Sequence, residues 1–230
     1  MNPKQRAAEA AMQYVSSGMV VGLGTGSTAD QFLQILASAL KEGNLCDIRG
    51  VPTSRQSELR AQQLGIPLTT LAASPRPDVT VDGADEVAPN LDLIKGLGGA
   101  LLREKVVAQN SLKVVIIADA GKAVGKLGTK APLPVEVTQF AFEIQEHYLR
   151  SIGAEPVLRR TADGNPFVTD NGNYIYDCRF PGIDRPHELE HALQRRAGIV
   201  AHGLFLNMAS VALIADEQTV RTLAIADMAM

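Results

Sequence analysis

Apolar β-prone runs and helix-forming segments alternate along the first half of the chain. The β-prone runs occupy residues 19–23, 48–51, 67–70, 79–81 and 114–118. Segments with helical spacing of apolar residues or strong helix propensity lie between them, at residues 3–14, 29–40, 57–64 and 101–108. Such alternation is typical of a parallel sheet covered by helices. It predicts a Rossmann-like α/β domain.

The pattern changes near residues 127–134, where two prolines and a glycine end the alternation. Further β-prone runs follow at residues 135–137, 155–158, 167–169, 174–178, 199–206 and 211–215, with helical segments at 140–152 and 185–196. Asn171-Gly172 between two of the runs is a strong hairpin signal. The element order resembles a ferredoxin-like α+β unit. We therefore predict a small α+β domain over residues 131–206 and a Rossmann-like domain over residues 1–130 plus 207–230.

Composition and charge narrow the choice of partners. The net charge of −3 over 230 residues gives no basic footprint for nucleic acid or for an anionic membrane. The N-terminal segment lacks the apolar centre of a signal peptide, and the longest apolar runs are too short to span a bilayer. Cys46 and Cys178 do not form a CxxC pattern. These features predict a cytoplasmic protein with no nucleic-acid or membrane partner.

A glycine-rich loop at residues 22–28 joins the first predicted strand to the following helix. Unpaired N–H groups, the positive end of the helix dipole and the hydroxyls of Thr25, Ser27 and Thr28 converge there, which suits a phosphate. The loop lacks the Gly-Lys-Ser/Thr of a Walker A motif, and Ser27 replaces the third glycine of the dinucleotide fingerprint. A tight turn without a ligand is the alternative interpretation.

Four charged residues lie at the ends of predicted elements between residues 81 and 105: Asp82, Asp85, Lys95 and Glu104. Polar groups at the carboxyl ends of strands in an α/β sheet usually face a ligand crevice. A carboxylate beside an ammonium group suits proton abstraction next to a carbonyl, with Glu104 as base and Lys95 holding the oxyanion. Burial would raise the pKa of Glu104 and Lys95 would lower it, so the net direction stays open.

Other readings of these charges remain open. Residues 103–105 also fit a solvated helix face. Asp82 and Asp85 could exchange protons with substrate hydroxyls, chelate Mg²⁺ together with Glu86, or make turns and helix caps.

The segment from His187 to His191 matches the zinc-protease pattern HExxH. However, it follows Pro186 at a predicted helix start, and Glu190 intervenes between the histidines. No helix that would supply a third ligand follows. We therefore predict the solvated first turn of an amphipathic helix and no metal site.

Taken together, the motifs make the chain resemble ribose-5-phosphate isomerases of the A type. The resemblance is carried by GLGTGSTA, VDGADE, LIKGLGGALLREK, ADAGK, PLPVEV, DNGN and GLF, in this order over nearly the full length. It implies an isomerase that interconverts D-ribose 5-phosphate and D-ribulose 5-phosphate through an enediolate, in the non-oxidative pentose phosphate pathway. It also implies a small-molecule pentose phosphate as partner, no cofactor, and a homodimer or a dimer of dimers.

The resemblance also implies roles for individual residues. Glu104 would be the general base, and Asp82, Asp85 and Lys95 the other catalytic residues, with Asp82 opening the sugar ring. The substrate-binding residues would be Thr25, Gly26, Ser27, Thr28, Gly83, Ala84, Gly96, Gly98 and Lys122, with Lys4 as a further lysine near the phosphate.

One position departs from the family pattern. The family usually reads Lys-Gly-Gly-Gly where this chain has Lys95-Gly96-Leu97-Gly98. Leucine does not freely adopt a positive φ, so either position 97 has an ordinary backbone or the turn is shifted.

Two other functions remain as alternatives. One is a phosphosugar-binding sensor without turnover. The other is an amino-sugar phosphate deaminase, whose loop can also read Thr-Gly-Ser-Thr.

Overall fold

The strands form three sheets in residues 2–224, which this computed structural model describes. The first elements are α1 (Pro3–Ala11), β1 (Val20–Leu23), α2 (Ser27–Lys41), β2 (Arg49–Pro52), α3 (Arg55–Gln63), β3 (Val79–Asp82), β4 (Glu86–Val87), β5 (Leu93–Ile94), α4 (Leu101–Asn110) and β6 (Val114–Asp119). The later elements are β7 (Leu133–Val137), α5 (Phe142–Ser151), β8 (Glu155–Leu158), β9 (Tyr174–Arg179), α6 (Pro186–Gln194), β10 (Ile199–His202), β11 (Leu204–Phe205), β12 (Val211–Ala215) and β13 (Val220–Ala224).

The largest sheet has six strands in the order β13-β12-β6-β3-β1-β2. Five of them run parallel, and β13 pairs antiparallel with β12 at one edge. Helices α1 and α2 cover one face through residues such as Ala7, Phe32 and Leu36. Helix α4 and the short strands β4, β5 and β11 cover the other. Strands β1, β3 and β12 are buried along their whole length, as expected for covered parallel strands. The α/β prediction is confirmed.

Helix α1 begins as its sequence predicts. Asn2 Oδ1 accepts a hydrogen bond from Gln5 N–H (2.8 Å), and Pro3 fills the first helical position. This start brings Lys4 to the glycine loop, where its Nζ donates to Ser27 Oγ (2.8 Å).

The second sheet has four antiparallel strands in the order β10-β7-β9-β8. Together with α5 and α6 it follows the βαββαβ order of a ferredoxin-like unit, which confirms the predicted topology. Its apolar core contains Val135, Leu149 and Leu193, and it is separate from the core under α1 and α2.

The third sheet, β11-β5-β4, has strands of two residues each and was not predicted. Residues 199–206 were predicted as one strand. Instead, β10 belongs to the second sheet and β11 to the third, and the chain changes sheets at Gly203. A Cβ on Gly203 would lie only 2.3 Å from Lys95 O, so the close approach of the two backbones requires glycine.

Two other predicted strands are wrong. Residues 67–70 make a single bridge, Gly50 with Leu68, instead of a strand. Residues 167–169 do not pair as a hairpin arm, because β9 is already bonded to β7 on one side and to β8 on the other. The Asn171-Gly172 turn is nevertheless closed, by Gly172 N–H donating to Thr169 O (3.0 Å).

Strands β12 and β13 lie in the six-stranded sheet, which agrees with a return of the chain after residue 207. The division into two domains stays a prediction, and its residues 225–230 lie outside the described range. No helix within residues 2–224 has the length and apolar character needed to cross a membrane.

Candidate active site

The loop between β1 and α2 is shaped by two glycines with different roles. Gly26 has φ +99°, a conformation that other residues rarely adopt. Gly24 packs against β3 so closely that a Cβ would lie 2.3 Å from Asp82 Oδ1 and 2.6 Å from Val81 O. Helix α2 starts without a side-chain cap. The N–H groups of its first turn are therefore available to an anion.

Substituting alanine for Gly24 should displace both the loop and the Asp82 carboxylate, because the clash involves backbone atoms that cannot rotate away. We expect a fall in kcat/KM of about 100-fold or more, in line with the cost of misplacing reacting groups by about 1 Å. Steady-state assays of the purified variant measure this, with Gly125→Ala as control. Like Gly24, Gly125 does not have a positive φ, but a Cβ there would meet no atom within 4 Å. Equal activity of the two variants would contradict the expectation.

The Thr25 hydroxyl is used inside the protein. Thr25 Oγ1 lies 2.8 Å from both Thr53 Oγ1 and Ser54 Oγ, and Thr53 Oγ1 donates to Leu23 O (2.9 Å). Ser54 also caps α3. The pattern of the glycine loop predicts a free hydroxyl donor at Thr25, but this hydroxyl fixes the loop to the start of α3.

A buried ion cluster lies beside the loop. Lys95 Nζ is 3.0 Å from Asp82 Oδ2 and 3.2 Å from Glu104 Oε1, and it donates to Gly83 O (2.5 Å). The exposed fractions of Asp82, Lys95 and Glu104 are only 2%, 3% and 5%. The Lys95 ammonium group thus forms ion pairs with two carboxylates that are shielded from water.

Burial raises the pKa of Glu104 to about 7, against the opposing effect of Lys95 and with smaller contributions from Asp82 and Asp85. For Lys95, burial acts to lower the pKa, but Asp82, Glu104 and Asp85 outweigh it and raise the pKa above its ordinary value. The sequence left open whether the pKa of Glu104 is raised or lowered, and the structure shows that it is raised. A carboxylate with a pKa near neutrality is suited to both taking and returning a proton.

The two oxygens of Glu104 have different surroundings. Oε1 faces Lys95, whereas Oε2 is buried and has no hydrogen-bond partner within residues 2–224. Glu104 also lines the cavity beside the glycine loop. A carboxylate that lines a cavity and has one unpartnered oxygen can accept a proton from a bound molecule.

Asp82 lies behind Lys95. Its Oδ1 accepts from Thr25 N–H (2.9 Å) and Gly83 N–H (2.7 Å), while its Oδ2 faces Lys95. Asp85 does line the cavity, and its Oδ2 accepts from Leu97 N–H (2.9 Å). The two aspartates of the Asp-Gly-Ala-Asp motif therefore occupy different environments.

Glu86 does not join these aspartates. Its buried carboxylate accepts from the N–H groups of Gly128, Lys130 and Ala131 at 2.6–2.7 Å and holds the segment that leads into β7. The suggested Mg²⁺ triad of Asp82, Asp85 and Glu86 is therefore not assembled. In residues 2–224, three or more His, Cys, Asp or Glu side chains are nowhere grouped as metal ligands. The HExxH segment lies at the start of α6, where His187 Nδ1 is 4.0 Å from Glu190 Oε2.

The glycine turn at residues 96–99 has positive φ at Gly96 (+103°) and Gly99 (+81°), but not at Leu97. The first of the two alternatives for Leu97 is thus correct: the position has an ordinary backbone. Lys95, Leu97 and Gly99 donate their N–H groups to Gly203 O, Asp85 Oδ2 and Gly96 O. Within the described residues, the N–H groups of Gly96 and Gly98 have no such partner, and both glycines line the cavity. They are candidate donors to a bound oxyanion.

The cavity has a volume of about 120 Å³. All the residues with predicted substrate or catalytic roles line it, except Asp82 behind Lys95: Thr25, Gly26, Ser27, Thr28, Gly83, Ala84, Asp85, Lys95, Gly96, Gly98, Glu104 and Lys122, together with Lys4. A larger cavity of about 520 Å³ lies between α2 and α3, but it shares only the loop with these groups. The smaller cavity is therefore the one lined by the charged groups and hydrogen-bond donors that could bind a substrate and transfer a proton.

Sequence reasoning missed two supports of this site. The hydroxyl pair Thr53-Ser54 had a local signal, because Ser54 begins a helix and Ser57 completes its capping box. Arg159, which contacts the glycine turn, had none, because its partners lie about 60 residues away in sequence.

This fold and this site define an α/β enzyme with an anion-binding loop beside a buried acid–base pair. Residues 49–219 match the family model described as ribose 5-phosphate isomerase A (phosphoriboisomerase A). A ribose-5-phosphate isomerase A from Roseiflexus castenholzii is 53% identical over 212 residues, which cover 92% of this chain and 91% of the relative.

Solved structures agree with the sequence match. A ribose 5-phosphate isomerase from Plasmodium falciparum is 42% identical with a TM-score of 0.92, covering 96% of this chain and 97% of that one. A D-ribose-5-phosphate isomerase in complex with phospho-erythronic acid is 39% identical with a TM-score of 0.94, covering 97% and 100%. The chain belongs to the ribose-5-phosphate isomerase A family and is an isomerase.

Proposed function

We propose that this chain interconverts D-ribose 5-phosphate and D-ribulose 5-phosphate through an enediolate, with Glu104 as the base that moves a proton between C2 and C1. The observation that carries this proposal is that Glu104 lines the cavity and that its Oε2 is buried without a hydrogen-bond partner in the described residues, with Lys95 3.2 Å from the other oxygen. Family membership supports the substrate and the place in the non-oxidative pentose phosphate pathway.

The phosphate is proposed to bind at the N-terminus of α2. The N–H groups of Ser27 and Thr28 and the Ser27 hydroxyl would be its donors there. Lys4 and Lys122 line the same cavity and supply two positive charges. Because the backbone donors are fixed by the fold, the phosphate would serve as the anchor from which C1 and C2 reach Glu104.

Ring opening moves a proton from the anomeric hydroxyl to the ring oxygen. The resemblance implies that Asp82 carries this proton. The geometry favours Asp85 instead, because Asp85 lines the cavity while both oxygens of Asp82 are occupied by Lys95 and backbone N–H groups. We propose that Asp82 orients Lys95 and that Asp85 contacts the sugar.

In the isomerisation step, Glu104 takes the C2 proton of the open aldose and the electron pair of that bond moves into the C1–C2 bond. The carbonyl oxygen at C1 gains the negative charge. Lys95 and the N–H groups of Gly96 and Gly98 are the proposed stabilisers of that charge. Return of the proton from Glu104 to C1 and transfer of the O2 proton to O1 complete the ketose.

A direct assay tests the function. Purified protein is supplied with ribose 5-phosphate, and ribulose 5-phosphate formation is followed by a coupled reaction. Binding without turnover would support the sensor, and ammonia release from glucosamine 6-phosphate would support the deaminase. Deuterium at C2 of the substrate, found partly at C1 of the product, would identify transfer by a single base.

The pH dependence of kcat/KM should reflect the raised pKa of Glu104. The carboxyl must be ionised to accept a proton, and it binds one when the pH falls through about 7. We therefore expect kcat/KM to decrease about tenfold per pH unit below that value. Initial rates from pH 5 to 9 in buffers of constant ionic strength measure this. A profile that stays flat down to pH 5 would rule out an elevated pKa at the base.

We further propose a homodimer or a dimer of dimers in the cytoplasm. Family membership supports the assembly, and the two free cysteines, Cys46 and Cys178, are compatible with a reducing compartment. Light scattering on the eluting protein gives the mass of the assembly, and cell fractionation gives its location.

A further inference from the structure

We propose that Arg159 is a positioning residue of the isomerase site, acting through the glycine turn at residues 96–99 without touching the sugar phosphate. Arg159 follows β8 in the second sheet, and its NH1 group donates to Gly96 O (3.2 Å) and Leu97 O (3.0 Å). These carbonyls belong to the turn that directly follows Lys95. The inference rests on the proposed function, because it assigns this turn to the oxyanion.

The guanidinium group is held on several sides. Arg159 Nε and NH2 contact the two carboxylate oxygens of Asp177 at 2.9 and 2.5 Å, and its side chain is only 13% exposed. The Phe167 ring lies under it, 5.7 Å from the guanidinium carbon to the ring centroid. The same ring fills the space beside Gly99, where a Cβ would be 2.6 Å from it. A bidentate pair with an aromatic support gives Arg159 a defined position.

Its contact with two consecutive carbonyls has an electrostatic consequence. The carbonyl of Gly96 shares a peptide group with Leu97 N–H, and the carbonyl of Leu97 shares one with Gly98 N–H. A positive charge at each oxygen polarises the peptide and strengthens hydrogen-bond donation at its nitrogen. Leu97 N–H holds Asp85 (2.9 Å), and Gly98 N–H is unpartnered within the described residues and belongs to a cavity-lining residue. Arg159 would thus strengthen one donor to Asp85 and one to the enediolate.

The neighbouring arginine offers a matched control. Arg160 is exposed, and its NH1 group bonds Gly164 O (2.7 Å) in its own loop. Arg159→Gln and Arg160→Gln therefore remove the same charge one residue apart, but only the first removes it from the turn. Arg159→Lys keeps a charge but can approach the two carbonyls only as a point donor.

The test compares turnover with binding of two probes. Phospho-erythronic acid carries a carboxylate where the enediolate would carry its charge, and inorganic phosphate occupies only the anchor. For Arg159→Gln we expect kcat to fall about tenfold or more, with KM within about threefold of wild type, because one donor is weakened but not removed. Phospho-erythronic acid should bind about tenfold more weakly and inorganic phosphate equally well. Arg159→Lys should recover part of the loss, and Arg160→Gln should match wild type.

Several outcomes would overturn the assignment. The first is a kcat for Arg159→Gln that equals the kcat of Arg160→Gln. The second is an equal loss of affinity for phospho-erythronic acid and inorganic phosphate in Arg159→Gln, because that result indicates general damage to the cavity. If both Arg159 variants fail to fold, Asp177→Asn releases the guanidinium without removing it, and unchanged kcat and probe affinity in that variant would exclude the role. If wild type binds the probe but makes no ribulose 5-phosphate, the proposed function fails, while the probe affinities still test Arg159.

Discussion

Replacing Glu104 with glutamine is expected to lower kcat for ribose 5-phosphate by about 10³-fold or more with little change in KM. The amide keeps the size of the side chain and its contact with Lys95 but cannot accept a carbon-bound proton, and general-base catalysis typically contributes about 10²–10⁴-fold. Steady-state kinetics with the coupled assay measures the loss. Glu155→Gln, at an exposed carboxylate on β8, serves as control and should leave kcat unchanged.

Loss of activity must be separated from loss of structure. The pKa of Glu104 is raised from 4.5 to about 7 in the folded protein, so the unfolded chain releases this proton more readily. The contribution of Glu104 to stability therefore decreases as the pH rises from 4.5 to 7 and stays low above that range. Glutamine carries no such charge, and Glu104→Gln should have a Tm at pH 8 at least equal to that of wild type. A folded variant that retains more than a tenth of wild-type kcat would exclude Glu104 as the base.

Lys95→Met is expected to remove activity and to destabilise the protein by about 3–5 kcal/mol at pH 8. Removing the lysine leaves the carboxylates of Asp82 and Glu104 without their cation, and neither residue is more than 5% exposed. Breaking one side of a buried ion cluster leaves uncompensated charge, which costs this order of free energy. Urea denaturation monitored by circular dichroism measures it. Part of the stability should return at pH 5, because Glu104 then binds a proton.

The matched control is Lys126→Met. Lys126 also pairs with an aspartate, Asp184, but their side chains are 50% and 75% exposed. Water and salt screen exposed pairs, which therefore contribute little to stability, so this variant should unfold close to wild type. If Lys95→Met were no less stable than Lys126→Met at pH 8, the buried cluster would not depend on its cation.

The sequence predicts those parts of the fold that depend on local pattern. Strands buried on both faces, such as β6 and β12, have apolar β-branched runs, and helices such as α2 have a clear apolar face. The split at Gly203 is harder to predict, because His202-Gly203 interrupts the apolar residues of 199–206 without indicating which sheet each half joins. The strand predicted at 167–169 is wrong for a similar reason: its turn signal is real, but both edges of β9 are taken by β7 and β8.

The candidate site shows the same difference between what local sequence pattern predicts and what partners distant in sequence determine. Motifs predicted which residues gather around the cavity, because the carboxyl ends of β1 and β3 meet at one edge of the sheet. They did not predict which way each carboxylate faces. Asp82 and Glu86 lie within three residues of the cavity-lining Ala84 and Asp85. Nevertheless, Asp82 binds Lys95, and Glu86 binds the segment before β7. The direction in which each carboxylate points is set by hydrogen-bonding and charged partners that are distant in sequence.

The exposed side chain of Leu97, between the cavity-lining Gly96 and Gly98, offers a position for chemical labelling next to the cavity. Its backbone is ordinary, its side chain is 40% exposed, and its N–H holds the cavity-lining Asp85. Cysteine at this position would carry an environment-sensitive fluorophore beside the cavity-lining glycines without altering them. Cys46 is exposed and would need replacement by serine, whereas Cys178 is buried and can remain. Such a reporter would follow ligand entry in real time, and in variants that no longer turn over.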